Sequence, residues 1–426
     1  MRSGLFSEIL AMSWDTLRAN KMRSALTVLG IVIGIMSIVG MTSLIRGFDE
    51  SLRDSIKTIG PDTIFVAKFS AVSIASGNSF QEMLKRPNMT PADADAIAAE
   101  APSIEETTVI LGNGGPPTQE RVYYRNQKSK QLSVFGTTEV YPSLTRIPIE
   151  LGRFFNESEV QHHREVMVLG QGPYKALFPN TDPIGKTVRL GLTQYEVIGV
   201  LAKRPSPGGF DTGADDNVII PQTTYQKQFG IRAYDTGRGE MRAVLIGAMP
   251  REGVSREQAL QEIEEVMRIR HGLRLDQPDD FDLVTQDAIL KIWDQISQAT
   301  FLALVVLSSI ALMVGGIGVM SIMTMSVTER TREIGVRKAL GARRIEILWQ
   351  FLIEAMFLTS AGGLLGIGLG SAIGLSVHLI TGFPISLPWW SFAIGIGFSA
   401  SVGVFFGMVP AVRASRLDPI EALRYE

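Results

Sequence analysis

The sequence predicts a membrane protein of four transmembrane α-helices plus a large extracytoplasmic α+β domain between the first two. Three observations lead there. Three stretches lack Asp, Glu, Lys and Arg for longer than a bilayer requires: Ser24 to Ile45, Gln295 to Thr328 and Ala355 to Val412, the last more than twice as long as the first. The first two of these are separated by a long polar segment within 47–297. Lys and Arg gather at one set of span ends, as they do on the cytoplasmic side of membrane proteins.

A hydrocarbon core of ~30 Å takes about 20 helical residues to cross. The first two runs therefore hold one span each, and the third is long enough for two. Its middle reads ITGFPISLPWW, where Pro384 and Pro388 break a helix and Trp389 and Trp390 suit a membrane interface. The expected spans are 24–46, 298–328, 346–380 and 389–412, with an outer turn at 381–388. Basic residues flank them at Arg18, Lys21 and Arg23, at Arg330, Arg332, Arg337, Lys338, Arg343 and Arg344, and at Arg413, Arg416 and Arg424. The turn between spans three and four has none. All three basic segments share one side only if there are four spans, which makes both termini cytoplasmic. The competing reading of span one, a cleaved signal peptide, fits poorly because the apolar run is too long and no A-x-A-like site follows it.

Composition narrows the class further. Hydrophobic residues make up 45% and charged residues 20% of the 426, too apolar for a disordered chain. The 42 Gly show no three-residue period, and no Cys is present, which excludes collagen, disulfides, Fe–S clusters and thiolate metal sites without fixing a compartment. The net charge of −2 supplies no basic footprint for nucleic acid. It hides an asymmetry: Gly47 to Ser297 holds 27 basic and 34 acidic residues, the remainder 14 basic and 9 acidic.

Taken in order, residues 1–23 predict a cytoplasmic amphipathic helix. Leu5, Phe6, Ile9, Leu10, Trp14 and Leu17 recur at three and four. Such a stripe suits a helix lying on the membrane, or one packed on a neighbouring protein.

The segment 47–297 predicts mixed α and β. PDTIFVAKF reads as a strand after a Gly-Pro turn, TPADADAIAAEAP as a helix capped by Thr90, and SIEETTVIL as a strand. A second unit repeats the pattern: MRAVLIGAM, a helix opening at Ser255 and ended by Gly272, then DFDLVTQ. These two β-α-β units, within 47–114 and 229–297, flank a β-rich insertion at 115–228. Chemistry-bearing motifs are few. IGKT (Ile184 to Thr187) imitates the end of a phosphate loop, but Asn180 stands where the first Gly is required and a strand follows instead of a helix. His162 and His163 adjoin Glu157 and Glu159 without a recognised metal spacing. Asp215 and Asp216 lie in a Gly-rich loop, where carboxylates serve turns first and acid–base pairs second.

The most informative stretch follows span two. MSVTERTREIGVRKALGARRIEILWQFLIEA runs from the span into charge without a breaker, so the helix should project into the cytoplasm. Gly335 and Gly341 allow a bend, and Gly341 suits a C-cap. A short amphipathic element at 329–345, bearing Glu329, Arg330, Arg332, Glu333, Arg337 and Lys338, is thus held between two spans, a pattern that a loop serving topology alone does not need. Small residues recur every fourth position along the spans: Gly362, Gly366, Gly370 and Gly374 in span three, Gly395, Ser399, Gly403 and Gly407 in span four, Gly30 and Gly34 in span one. In lipid such stripes mark close helix packing, within or between chains. No span carries a charge at mid-depth, which argues against a proton or ion path.

Together these residues make the chain resemble the permease subunits of MacB/FtsX-type ABC transporters. The resemblance rests on ERTREIGVRKALGARR (Glu329 to Arg344) and the tail PAVRASRLDPIEALRYE (413–426 within it), and on NKMRSALTVLGIVIGI, TPADADAIA, DPIGKTVRL and YEVIGVL. It implies a porter-like α+β subdomain with a β-rich inserted subdomain called Sabre. It also implies a permease dimer, homo- or heteromeric, each chain docking one cytoplasmic ABC ATPase. ATP-driven closure is passed through the membrane to the outer domains, a process called mechanotransmission. The implied ATPase contacts are Glu329, Arg330, Arg332, Glu333, Gly335, Arg337, Lys338 and Gly341.

MacB carries its ATPase on the same chain, whereas span one here already opens at Ser24 and no G-x-x-x-x-G-K-[ST] occurs. The expectation is a non-catalytic subunit with the ATPase on a separate chain, which would bind the ATP and Mg; this chain would bind no cofactor, metal or nucleic acid. It would sit in lipid as a multi-pass protein of the bacterial inner membrane. Three tasks fit. The first is efflux of a drug, peptide or small amphiphile, with a periplasmic membrane-fusion adaptor and an outer-membrane channel. The second is lipoprotein release or FtsX-like activation of cell-wall hydrolases. The third is a membrane-anchored receptor or ectoenzyme without an ATPase.

Overall fold

The computed structural model describes residues 21–57, 63–70, 73, 74, 77, 79–113, 117–204, 213–231, 233–235 and 240–423. The amphipathic stretch before residue 21, Arg424 and the Gly-rich loop before Gly213 lie outside them. The described residues fall into two compact units, one within 1–50 and 296–426 and one within 51–295.

In chain order the elements are α1 (Lys21–Lys57), β1 (Ile64–Ala67), α2 (Phe80–Lys85), α3 (Pro91–Glu100), β2 (Ile104–Leu111), β3 (Gln119–Glu120), β4 (Val122–Tyr124), β5 (Gln127–Lys128) and β6 (Leu132–Thr137). There follow α4 (Tyr141–Thr145), β7 (Ile149–Gly152), α5 (Glu157–Gln161), β8 (Val166–Leu169), α6 (Gln171–Leu177), β9 (Thr187–Leu190), β10 (Thr193–Leu201), β11 (Asn217–Pro221) and α7 (Gln222–Phe229). The chain closes with β12 (Ala233–Asp235), β13 (Glu240–Arg242), β14 (Val244–Pro250), α8 (Arg256–Arg270), β15 (Asp282–Val284), α9 (Gln286–Glu329), α10 (Thr331–Ala339), α11 (Arg344–Thr381), α12 (Trp389–Arg416) and α13 (Pro419–Leu423).

Among the described residues four helices are long and apolar enough to cross a membrane: Thr27–Ile56, Gln286–Glu329, Arg344–Thr381 and Trp389–Arg416. The first two outrun the apolar stretches that predicted them. α1 continues to Lys57 because no Gly or Pro interrupts FDESLRDSIK. α9 starts well before position 298 because Thr285 caps it, accepting from the Ala288 amide at 3.2 Å. Stop signals, not the edge of the apolar run, set the ends.

Among the described residues of the α+β unit, thirteen strands form one sheet in the path β15-β1-β14-β2-β6-β11-β8-β10-β9-β4-β5, with β3 on β6 and β7 on β10. The first four strands come from the two β-α-β units. β1 runs antiparallel to both β14 and β15, and β14 antiparallel to β2, so the units interlock in a ferredoxin-like order. Their helices are tied together by Arg270 Nε on Asp93 at 2.8 Å. Asp93 also accepts from the Thr90 amide at 2.8 Å and closes the start of α3. Glu262 of α8 grips Ser103 at the entry to β2, accepting from its amide and its hydroxyl.

The remaining strands of the path belong to 115–228. That segment is less purely β than its sequence suggests, since α4, α5, α6 and α7 punctuate it; each is too short for a period-3.6 pattern to stand out. The two halves of the sheet meet at β2 and β6 through one residue pair, Leu111 and Gly136. A Cβ on Gly136 would stand 2.4 Å from the Cβ of Tyr225, so this ring packs directly on bare backbone. One continuous apolar cluster, including Ile97, Ile246 and Ile263 on one side of the seam and Val134, Tyr195 and Val197 on the other, runs beneath both halves, and a second includes Ile110, Val168 and Ile219.

Candidate functional site

The membrane unit is assembled on its small residues. Gly362, Gly366, Gly370 and Gly374 of α11 all face α1. A Cβ would meet Ile31 at 3.3 Å from Gly362, the Val32 carbonyl at 2.9 Å from Gly366 and the Met36 carbonyl at 3.0 Å from Gly370. Gly30 and Gly34 turn the other way, towards α9, with Gly30 against Gly315 at 3.0 Å and Gly34 against Leu312 at 2.8 Å. α12 lies on α11 through Gly395, Ser399, Gly403 and Gly407. Ser399 donates to the Thr359 carbonyl at 2.5 Å, and a Cβ on Gly403 would press on Met356 at 2.9 Å. Each stripe is consumed inside the chain. Backbones that close exchange dispersion contacts that lipid tails cannot replace.

Beyond α9 the chain turns at Arg330 and enters α10. Contacts from Arg330, Arg337, Lys338 and Gly335 fasten this short helix to its surroundings. Arg330 faces the buried Glu354 of α11 at 3.5 Å. Arg337 donates to Gln350 of α11 at 2.7 Å and pairs with Glu333 one turn back at 2.6 Å. Lys338 donates to the Leu417 carbonyl, at the end of α12, at 2.6 Å. Gly335 is buried against α13, where a Cβ would stand 2.8 Å from that of Ala422. Asp418 in turn caps α13, its side chain accepting from the Ile420 amide at 2.8 Å. Thus α10 is held by α9, α11, α12 and α13 at once.

These contacts divide the eight residues that the sequence singled out. Gly335 is buried, and Arg330, Arg337 and Lys338 are half-buried with their polar atoms turned to the chain itself. Burial lowers the Lys338 ammonium below its usual 10.5, Arg344 pushes the same way, and Asp418 opposes them. Glu329, Arg332, Glu333 and Gly341 are exposed. Gly341 has φ +100°, a conformation costly for any side chain, and it makes the corner between α10 and α11. At that corner Leu340 is 83% exposed, flanked by exposed Val336, Ile345 and Trp349 and by the exposed Arg343 and Arg344. Apolar side chains ringed by arginines have the composition of a protein-binding surface.

Sequence reading missed Glu354, Gly315, α13 and Gly363, on which a Cβ would stand 2.7 Å from the Ser399 hydroxyl. Glu354 stands immediately ahead of the uncharged run and is buried in α11, not left at a charged flank. Its partner Arg330 precedes α10, beyond the reach of local pattern. Gly315, in the GGIG of span two, was visible as a small-residue cluster.

The candidates in the α+β unit have structural work. Asp216 pairs with Lys130 at 2.6 Å, and Asp215 accepts from the Arg204 amide at 3.1 Å. His162 and His163 close the end of α5, His163 with φ +49°. IGKT leads into β9. Among the described residues no group of three or more His, Asp or Glu is placed to hold a metal.

Four helices fit to span a membrane, with one large sheet domain between the first two in the chain, define a multi-pass membrane protein. Residues 24–266 match the MacB-like periplasmic core domain and residues 305–419 the FtsX-like permease C-terminal domain. The chain belongs to the MacB/FtsX family of ABC transporter permeases. It is 34% identical over 421 residues to the macrolide export ATP-binding/permease protein MacB of Bdellovibrio bacteriovorus, covering 98% of this chain and 62% of that protein. The same figure of 34% holds over 424 residues for the MacB of Neisseria meningitidis serogroup A, with 98% and 61% covered. The chain thus spans about six tenths of the length of these relatives. Among solved structures, the periplasmic region of MacB from Actinobacillus actinomycetemcomitans aligns with a TM-score of 0.42 at 21% identity, covering 55% of this chain and 94% of that one.

Proposed function

We propose that this chain is the permease subunit through which a separate ATPase does work on the α+β domain. The supporting observation is the α10–α11 corner. Its outer surface offers Leu340, Val336 and arginines to a partner, while its inner surface is fastened to α9, α11, α12 and α13. A push on Leu340 therefore moves three spans together instead of deforming a loop. In this reading the corner and both termini are cytoplasmic, the α+β domain lies outside the inner membrane, and two such chains with two ATPases make the working unit. ATP and Mg act on the ATPase; this chain transmits.

The relatives named for macrolide export favour efflux of a drug or similar amphiphile, with adaptor and channel as further partners. Leu340→Glu tests the coupling, because Leu340 is exposed and its replacement leaves the bundle intact. The variant should insert normally and lose stimulation of the partner ATPase; undiminished stimulation overturns the assignment. Deleting the gene from its host should raise macrolide sensitivity if efflux is the task, and unchanged sensitivity removes that task while leaving the coupling reading in place.

A further inference from the structure

The α+β domain carries seven more acidic than basic residues between Gly47 and Ser297, yet one strip of it reverses the sign. Residues 121–128 and 186–194, which supply β4, β5, β9 and their turns, contain Arg121, Arg125, Lys128, Lys186 and Arg189 and no Asp or Glu. Strand register places part of this charge in one row. Tyr123 stands opposite Lys128 on β5 and opposite Arg189 on β9, and Arg189 stands opposite Gln194 on β10. Val122, Val188, Leu190 and Tyr195 alternate with the row and point into the core, so the row faces solvent.

A solvated edge of lysines would look different. The Arg189 guanidinium lies 4.5 Å from the Tyr123 ring centroid and donates to the Gly191 carbonyl at 3.1 Å. Just past Gly191, Leu192 is 98% exposed at the hairpin tip. Among the described residues Arg121, Arg125, Lys128 and Arg189 pair with no carboxylate. An ordered Arg on a Tyr, beside a protruding Leu, is the residue set that dominates interface energetics, and ordering it beforehand lowers the cost of association.

We propose that this strip docks an acidic segment of a partner protein, whose carboxylates meet Arg121, Lys128 and Arg189 and whose apolar side chain meets Leu192. The opposite charge would relieve the crowding of like cations on the face. Among the described residues β5 ends the sheet path and pairs with β4 alone. A peptide can bring an apolar side chain to Leu192, whereas an anionic polysaccharide cannot.

The test uses the full chain in phosphatidylcholine nanodiscs and a fluorescein-labelled peptide of four Asp-Glu-Leu repeats. Binding should exceed that of a Gln-Ser-Leu repeat and fade with added salt. Arg189→Glu with Lys128→Glu should weaken it by roughly tenfold or more, and Arg189→Gln by less. Arg274→Glu, an exposed reversal elsewhere on the domain, should leave it unchanged. No binding above the neutral repeat overturns the proposal. So does an equal loss in Arg274→Glu, which would mean bulk charge only. Preferential capture of dextran sulfate, insensitive to Leu192→Ser, would assign the strip to a polysaccharide and likewise overturn it.

Discussion

Lys338 reaches from α10 to the carbonyl of Leu417, far along the chain, and holds it at 2.6 Å. The contact places a cation at the end of α12, where unsatisfied carbonyls concentrate negative charge. Lys338→Met should keep the stem and lose the donor. A hydrogen bond from a charged group contributes about 1.5–3 kcal/mol, so the variant should melt at a lower temperature in detergent and, on the proposed coupling, stimulate the partner ATPase less. Arg in its place should restore part of both.

Gly335 and Ala422 define a two-residue fit. Gly335→Ala puts a methyl 2.8 Å from that of Ala422, closer than carbon atoms tolerate. The single variant should cost about 1–3 kcal/mol, as overpacking does. Ala422→Gly should rescue it. A double mutant no more stable than Gly335→Ala would show that the clash is not the cause.

The helix stripes predict an asymmetry on one helix. Gly370→Leu must displace α1, because a Cβ there already meets the Met36 carbonyl at 3.0 Å. Gly368 has nothing within 4 Å of its would-be Cβ. Gly368→Leu should therefore insert and purify normally, while Gly370→Leu should aggregate or fail to accumulate. Size-exclusion profiles in detergent distinguish them.

Acid should loosen α5 before the rest of the domain. Arg153 binds Glu159 through both guanidinium nitrogens, at 2.7 and 2.8 Å, and the Asn156 amide adds a third bond to it. The Arg153 hydrogen bond, foremost, holds the Glu159 carboxyl below its usual 4.5. A depressed carboxylate stabilises the fold above its unfolded pKa and loses that contribution as pH falls through the folded value. Protection of the Val160 and Gln161 amides, measured relative to their intrinsic exchange at each pH, should therefore fall below pH 4.5, and Glu159→Gln should flatten that dependence. Protection that stays constant through this range in the wild type removes the pair's role.

Much of this architecture could be read from residue order, because its signals are local. Uncharged runs mark lipid, Thr90 and Ser255 open the two domain helices, and glycines at every fourth position mark the packed faces. What could not be read depends on distance. Nothing near Lys338 indicates that it points to Leu417, so residues that looked available to a partner prove to face inward. Glu354 needs Arg330 to be intelligible, and Leu340 looks like a core residue until the corner is built. Short helices within 115–228 were hidden for another reason: tertiary contacts, not periodicity, hold such brief segments in shape.

The seam at Leu111 and Gly136 has an evolutionary reading. A lobe grafted into its host sheet through one ladder rung can be exchanged without rewriting the host strands, provided the newcomer continues the shared apolar core and packs as closely on Gly112, where a Cβ would stand 2.4 Å from the Val134 carbonyl and 3.1 Å from the Tyr225 hydroxyl. Lineages could therefore diversify this cassette while the apolar helices stay as they are, and chimeras cut at that rung should fold where cuts elsewhere in the sheet do not.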